Sequence, residues 1–156
     1  MERLSLPKID CKIKQVGDNS FILDVVRKKY VKITPEEWVR QHFLHFMINQ
    51  LGYPKTLIKV ESGMTYNRRS KRTDIVAYSS EAKPLMLVEC KAPEIRLKKH
   101  TFEQANVYNK ILQADYVVIT NGIEQSCFFV NRSQLKIEFL EAIPTYHEAI
   151  TSNHFF

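Results

Sequence analysis

Two short apolar segments that lie close together in the chain constrain the fold more than any other feature. Residues 73–79 (TDIVAYS) and 85–91 (LMLVECK) have the composition of buried strands, and the loop between them is short enough for a hairpin. Alternation along the second segment places Glu89 and Lys91 on one face. If the two strands pair, Asp74 near the start of the first lies close to Glu89. The pattern therefore predicts neighbouring buried strands that end in charged side chains.

These charges predict a metal site. Two carboxylates placed together repel each other unless a cation lies between them. Mg²⁺ prefers oxygen ligands and keeps several waters, so Asp74, Glu89 and the backbone carbonyl of Cys90 would suit it. Lys91 would then orient or deprotonate an attacking water, or neutralise charge on a phosphate. A structural ion pair between Glu89 and Lys91 is the alternative, because Glu-x-Lys is a frequent triplet.

The clearest helix start in the chain is Thr34-Pro35-Glu36-Glu37. Thr34 suits the N-cap, Pro35 suits the first helical position, and Glu37 would complete a capping box. We expect this helix to run to about Leu51 and to stop at Gly52.

A helical wheel of this segment places Glu36 on the core-facing side, with Arg40 one turn further on. The opposite, solvent-facing side is predicted to hold Gln41, His45 and Asn49. An inward carboxylate needs a partner or a bound cation, so Glu36 is a candidate site residue that reaches a metal, directly or through water. The alternative is that Glu36 simply pairs with Arg40 and favours the helix N-terminus.

A second helix is predicted from about Phe102 to Gln113. Its apolar face would hold Val107, Tyr108, Ile111 and Leu112, and Gln104 falls within that arc. Gln104 and Tyr108 lie one turn apart and could reach the same site, where they would touch a phosphate or hold Lys91. The alternative is that Thr101 and Gln104 form a capping box and that Tyr108 belongs to the core.

The remaining pattern predicts one α/β domain, residues 1–156, with helices packed on a central sheet. A β-hairpin extension at 8–33 turns at Gly17-Asp18-Asn19 and precedes a core of about 34–131. Further strands are expected at 57–66, 115–121, 126–131 and 136–140. A short helix after Pro144 completes a C-terminal segment of 132–156.

The charge balance indicates an anionic partner. The chain has 23 Lys and Arg against 17 Asp and Glu, a formal net charge of +6. Basic residues crowd both sides of the predicted acidic site and could contact phosphates, although loop charges are often only solvated. They are Arg68, Arg69, Lys71 and Arg72 before it, and Arg96, Lys98, Lys99 and His100 after it. Arg27-Lys28-Lys29 is too far away in sequence to be placed.

Several classes of protein are disfavoured. No stretch approaches the roughly 18 apolar residues of a membrane span, and the N-terminus has no apolar core of a secretory signal. Three widely spaced cysteines argue against a disulfide framework and favour a reducing cytoplasm. No Walker A motif is present, so we expect no ATP-driven motor.

The residues singled out above resemble a known pattern. Asp74, then Glu89-Cys90-Lys91, then Gln104-x-x-x-Tyr108, after an inward Glu36, look like the PD-(D/E)XK nuclease superfamily. The segments 35–41 (PEEWVRQ) and 51–54 (LGYP) are similar to the N-terminal nuclease domain of the type I restriction enzyme R (motor) subunit. The resemblance runs from about Cys11 to about Arg132, and it departs at Thr73, where the superfamily often has Pro.

The resemblance implies a restriction-endonuclease-like core, a central mixed sheet in αβββαβ order. It implies Mg²⁺, or Mn²⁺ in its place, held by Asp74 and Glu89, with Lys91 as the catalytic lysine. Glu36 matches the first-helix acid, and Gln104 and Tyr108 match the Gln-x-x-x-Tyr motif. The expected activity is DNA phosphodiester hydrolysis, by a stand-alone domain, a homo-oligomer or a chain that works beside other restriction or repair subunits.

Two competing hypotheses stay open. The first is a nuclease-fold module that is catalytically silent, or active only with a partner, and that binds DNA or assembles a complex. The second is a structural protein whose charges are core ion pairs. RNA also stays open as a substrate.

Overall fold

The computed structural model describes residues 3–66 and 69–152, with the backbone alone for 62–66 and 69–72. Its strands are β1 (Ile13–Val16), β2 (Asn19–Asp24), β3 (Lys29–Lys32), β4 (Ile58–Tyr66), β5 (Arg69–Tyr78), β6 (Pro84–Cys90), β7 (Tyr116–Thr120), β8 (Gln125–Asn131) and β9 (Lys136–Leu140). Its helices are α1 (Pro35–Asn49), α2 (Lys99–Leu112), α3 (Tyr146–Thr151) and a short 3-10 turn at Lys55–Leu57.

The strands form two sheets. Strands β1, β2 and β3 make an antiparallel three-stranded sheet, so the predicted hairpin extension has a third strand. Strands β4 to β9 lie in chain order in one six-stranded mixed sheet. All neighbours in it are antiparallel except β6 and β7, which are parallel and connected through α2. A parallel pair needs such a crossover, because a tight turn can only reverse the chain.

Alternate residues of the central strands pack on opposite faces of the large sheet. On one face Ile75 and Val88 join a cluster with Phe43 and Met47 of α1. On the other face lie Val76, Leu87 and Val117, which pack with Ala105, Phe102 and Tyr108 of α2. Helices α1 and α2 therefore sandwich the strands that carry the acidic residues, as the period-2 pattern requires.

The predicted solvent face of α1 is wrong in part. Gln41 is fully buried and His45 is 6% exposed, while Asn49 is exposed. Gln41 donates to Asp24 at the end of β2, so the three-stranded sheet lies over this side of the helix. A wheel shows which side of a helix is apolar, but not that a second element covers the polar side.

The predictions for α2 need two corrections. The helix begins at Lys99, so Thr101 lies inside it and is buried, and it cannot be the N-cap of a capping box with Gln104. The buried positions are Thr101, Ala105 and Asn109, whereas Ile111 is 44% exposed. The helix is rotated toward its small residues, because Ala and Thr allow close approach to the sheet.

Two more differences concern loops and ends. The predicted basic loop 67–72 is mostly strand, since β5 begins at Arg69 and pairs with β4 up to Tyr66. Helix α1 ends at Asn49, and Gly52 follows with φ +75. Among the described residues, no helix is both long enough and apolar enough to cross a membrane.

Candidate active site

Asp74 and Glu89 lie side by side where β5 and β6 separate. The register pairs Ile75 with Val88, and the next pair along the hairpin is Asp74 with Glu89. Both acids are buried, with 7% and 8% exposure. The predicted juxtaposition of Asp74 and Glu89 is therefore confirmed, and it follows from the antiparallel pairing of two apolar strands.

Glu89 is a buried carboxyl with an unsatisfied oxygen. Its Oε2 atom has no hydrogen-bond partner. Burial, and after it the neighbouring Asp74 carboxylate, raise the pKa of Glu89 to about 8, while the charge of Lys91 acts in the opposite direction. A buried, unpartnered carboxyl oxygen is uncommon because it loses its hydration without compensation, and such a group often marks a ligand site.

Asp74 is held at both carboxylate oxygens. Its Oδ1 atom accepts from Arg40, at 3.2 Å from Nε and 2.5 Å from Nη2. Its Oδ2 atom accepts from the backbone N–H of Cys90 at 2.7 Å. Asp74 thus binds the backbone between Glu89 and Lys91, which fixes the two strands relative to each other at this point.

Lys91 lies at the end of β6, next to the acids. Its backbone N–H donates to the carbonyl of Thr120, which continues the parallel pairing with β7. Its positive charge opposes the rise in the pKa values of Glu89 and Glu36, although both values remain raised. Within the described part of the chain it forms no close ion pair with them, so a direct Glu89–Lys91 salt bridge is not observed.

Helix α1 places Glu36 and Arg40 beside Asp74 and Glu89. Thr34 caps the helix by accepting from the N–H of Glu37, and Pro35 is at its first position. Arg40 Nη2 donates to Glu36 Oε1 at 3.0 Å, so the predicted i,i+4 pair is present. The Glu36 side chain is still 45% exposed. Burial raises the pKa of Glu36, and the charge of Asp74 adds to this effect.

Glu37 has a role that the sequence did not suggest. Its carboxylate does not complete a capping box; it is buried and accepts from Arg27, Arg40 and Gln41. Arg27 in turn binds Asp24 at 2.7 Å through Nε. A continuous chain of charge pairs therefore leads from the turn after β2 to Asp74.

Glu61 is another site residue that sequence reasoning missed. It lies opposite Asp74 in the β4–β5 pairing, and it contacts Arg27 at 3.4 Å and Arg40 at 3.3 Å. Its φ of +50 is a left-handed conformation that costs free energy for a residue with a side chain. The only sequence signal is the polar run Glu61-Ser62-Gly63, which interrupts the apolar alternation of this strand.

The two residues of the second-helix motif have different surroundings. Tyr108 is half-buried and packs against the apolar cluster between α2 and the sheet. Burial raises the pKa of Tyr108, and the charges of Glu89 and Asp74 add to this effect. Gln104 is exposed and forms no hydrogen bond within the described ranges.

The predicted phosphate contacts fall into two groups. Arg68 lies outside the described residues, and so do the side chains of Arg69, Lys71 and Arg72. Arg96 and Lys98 are exposed in the segment between β6 and α2, and Lys99 is exposed at the first position of α2. Lys99 pairs weakly with Glu103 at 3.9 Å.

The donor set can be compared with what a divalent cation requires. In the described ranges, no three His, Cys, Asp or Glu side chains form a ready-made metal cage. The oxygens on offer are the unpartnered Oε2 of Glu89, the remaining lone pairs of Asp74 and the carbonyl of Cys90. Mg²⁺ commonly uses one or two carboxylates and keeps its waters, so these residues fit it.

The electrostatics of the site also favour a cation. Six carboxylates (Asp24, Glu36, Glu37, Glu61, Asp74, Glu89) lie around three basic side chains (Arg27, Arg40, Lys91). If all nine of these groups are ionised, they carry an excess of three negative charges among the side chains that the structure describes. Such an excess is costly in a buried place unless a proton or a metal offsets it.

The fold has a solved relative. A fragment structure of a candidate HsdR subunit of a type I restriction enzyme from Vibrio vulnificus YJ016 superposes with a TM-score of 0.59 and 20% sequence identity. The match covers 76% of this chain and 25% of that chain. The chain thus spans about a quarter of that protein's length, and the likeness establishes the fold. A search of curated proteins found no match.

The sequence itself matches a family. The family described as "Type I restriction enzyme R protein N terminus (HSDR_N)" matches residues 35–144, from the start of α1 to Pro144 before α3. This range includes Glu36, Asp74, Glu89 and Lys91, together with the Tyr108 motif. The chain therefore belongs to the family of type I restriction enzyme R protein N-terminal domains.

Proposed function

We propose that this chain is a metal-dependent DNA endonuclease domain of restriction-enzyme type, which hydrolyses phosphodiester bonds. One observation carries the proposal: Asp74 and Glu89 are buried side by side, Oε2 of Glu89 has no partner, and Lys91 follows directly after the strand that carries Glu89. Membership of the restriction-enzyme family supports the same reaction class.

Asp74, Glu89 and the Cys90 carbonyl would hold the divalent cation, Mg²⁺ or Mn²⁺. When bound, the cation would supply Lewis-acid polarisation of the phosphate and a water of lowered pKa. Lys91 positions the attacking water or stabilises negative charge that develops on the phosphate oxygens. Glu36 extends the acidic site toward solvent and would act through water. Tyr108 and Gln104 orient Lys91 or a phosphate.

We propose DNA as the partner, with exposed Arg96, Lys98 and Lys99 as candidates for phosphate contact. Other restriction subunits are further candidate partners, because the solved relative is described as a subunit of a type I restriction enzyme. Cys11, Cys90 and Cys127 are free thiols, which suits the reducing cytoplasm that we propose as its location.

A second candidate is a partner-dependent or catalytically silent module. The contact between Arg40 and Asp74 favours it, because a guanidinium already occupies part of the candidate metal site. The two candidates differ in whether the isolated chain cleaves DNA.

Cleavage of supercoiled and linear duplex DNA with Mg²⁺ or Mn²⁺ tests the first candidate. We expect Asp74→Ala and Lys91→Ala to lose activity by at least about 100-fold, because each removes charge or positioning at the reacting phosphate. Lys83→Ala is the matched control, since Lys83 is 76% exposed at the far end of the same hairpin.

Equal cleavage by the wild type, Asp74→Ala and Lys91→Ala would contradict the mechanism. DNA binding without cleavage by the wild type, under both metals, would favour the second candidate. EDTA should abolish cleavage by the wild type and by Lys83→Ala alike.

A further inference from the structure

Arg40 stands at the centre of the acidic site and is almost completely buried. Its side chain is 4% exposed, and four carboxylates surround it: Glu36, Glu37, Glu61 and Asp74. Burial alone would lower the pKa of Arg40, but attraction to Asp74 and the other acids outweighs it, and the pKa is raised. The guanidinium is therefore a permanent cation among acids that outnumber the basic side chains within the described ranges.

The guanidinium of Arg40 makes its double hydrogen bond to one acid, Asp74. Two of its nitrogens, Nε and Nη2, donate to the same oxygen, Oδ1. The other Asp74 oxygen is taken by the Cys90 N–H. Charge-assisted contacts of this kind are short and directional, and here they supply the only positive side chain in contact with Asp74 among the described residues.

A second buried arginine offers a built-in comparison. Arg27 binds Asp24, Glu37 and Glu61, and its side chain is 14% exposed. It has no contact with Asp74 within the described ranges. Arg27 and Arg40 thus share the same network and the carboxylate of Glu37, but only Arg40 reaches the candidate metal ligand.

We propose that Arg40 is an internal counter-ion that competes with a divalent cation for Asp74. The proposal rests on the metal-dependent function proposed above. Without metal, Arg40 keeps the buried Asp74 carboxylate neutralised and in place. A divalent cation shares or displaces this contact, so Arg40 stabilises the metal-free protein and weakens metal affinity.

The proposal makes opposite predictions for stability and for metal binding. Arg40→Met should lower the metal-free Tm by about 5–15 °C, because it leaves buried carboxylates without a counter-ion. The same substitution should tighten the Mn²⁺ dissociation constant about tenfold, because it removes a positive charge beside the ligands. Mn²⁺ should therefore raise the Tm of Arg40→Met by more than it raises that of the wild type.

Arg27→Met is the matched control. It should also lower the metal-free Tm, but its Mn²⁺ dissociation constant should stay within about twofold of the wild type. Arg40→Lys separates the effect of the charge from that of the guanidinium geometry. Lysine keeps the positive charge but cannot donate two parallel hydrogen bonds, so the Mn²⁺ affinity of this variant should stay near that of the wild type.

Asp74→Asn combined with Arg40→Met keeps the test usable if the single variant does not fold. The double variant removes both partners, so its Tm should be higher than that of Arg40→Met. A double variant no more stable than the single one would overturn the counter-ion role.

Isothermal titration with Mn²⁺ and thermal unfolding in EDTA supply both measurements. Wild-type binding with unchanged or weaker binding in Arg40→Met would overturn the competition and leave the proposed function standing. Absence of Mn²⁺ binding in all variants would overturn the proposed metal-dependent function together with this inference.

Discussion

Both oxygens of Asp74 accept hydrogen bonds, whereas Oε2 of Glu89 has no partner, and this difference defines the site at the scale of residues. Asp74 is fixed by Arg40 and by the backbone of β6, so its geometry is set before any ligand arrives. Glu89 is the acid that changes charge, because burial and the neighbouring Asp74 raise its pKa to about 8. A carboxylate held in place by the protein and a carboxyl that titrates thus lie next to each other.

The pH dependence of stability follows from Glu89. Its pKa is about 8 in the folded chain, against an ordinary value of 4.5. The stability that the neutral carboxyl provides is fully present below about pH 4.5 and is lost as the pH rises through about 8. In EDTA, we expect the wild type to lose on the order of a few kcal/mol from this group between pH 5 and 9.

Glu89→Gln should not lose stability between pH 5 and 9, and it should be more stable than the wild type at pH 9. Thermal unfolding in EDTA at pH 5, 7 and 9 measures it, with Glu103→Gln, an exposed carboxylate on α2, as the control that follows the wild type. Parallel Tm curves for the wild type and Glu89→Gln would show that Glu89 is not the titrating group.

At the scale of elements, α1 is the scaffold of the site. It begins at a capped Thr34 and presents two consecutive glutamates with different surroundings. Glu36 points toward the acids with its side chain 45% exposed, while Glu37 is 8% exposed between two arginines. The sequence predicted that the first-turn acids differ in role, but it did not show that Glu37 is the buried one, because its partner Arg27 comes from another sheet.

Substitution of the two glutamates separates these roles. Glu37→Gln should cost roughly 3 kcal/mol of stability, since it leaves two buried guanidinium groups with too little negative charge. Glu36→Gln should cost less than about 1 kcal/mol, because exposed i,i+4 pairs contribute little, but it should weaken Mn²⁺ binding or DNA cleavage. Urea unfolding and metal titration of both variants measure the difference, and an exchange of the two effects would refute the assignment.

Helix α2 and the β4–β5 hairpin show where element prediction reached its limit. The strands β5 and β6 lie within a few residues of their predicted bounds, because apolar alternation fixes which residues face the core. The sequence did not predict which side of α2 faces the sheet. The buried side carries the small residues Thr101 and Ala105, which allow close packing but are not the most hydrophobic residues of the helix. The left-handed conformation of Glu61 has only a weak local signal, the polar run Glu61-Ser62-Gly63.

At the scale of the whole molecule, the N-terminal segment ties the two sheets together. Ser5 bonds through its N–H and Oγ to the Gly122 carbonyl in the turn between β7 and β8. Leu6 is buried in the core beside α1, and the Asp24–Arg27 pair leads from the small sheet to the acidic site. The N-terminal extension is thus continuous with the core by contact as well as by sequence.

Gly122 is the point at which this attachment can be tested. It has φ +85, and an added Cβ would lie 2.7 Å from Leu4 Cδ2. Gly122→Ala should therefore cost about 2–4 kcal/mol, from backbone strain and overpacking together. Gly17→Ala, at φ +59 with nothing within 4 Å, should cost only about 1 kcal/mol. Urea unfolding compares them, and equal losses would mean that Leu4 does not pack there in solution.

The sequence by itself determined the strand and helix order, the N-cap at Thr34 and the pairing of Asp74 with Glu89. These features depend on local periodicity and on the short loop between β5 and β6, which allows only an antiparallel pairing of the two strands. Tertiary structure alone decided that Glu61 and Asp74 contact Arg40, that Arg27 shares Glu37 with Arg40, and that Gln41 is buried. The reason is physical: these are long-range charge contacts between separate elements, and a buried charge selects its partner by position in space, for which spacing along the chain carries no signal.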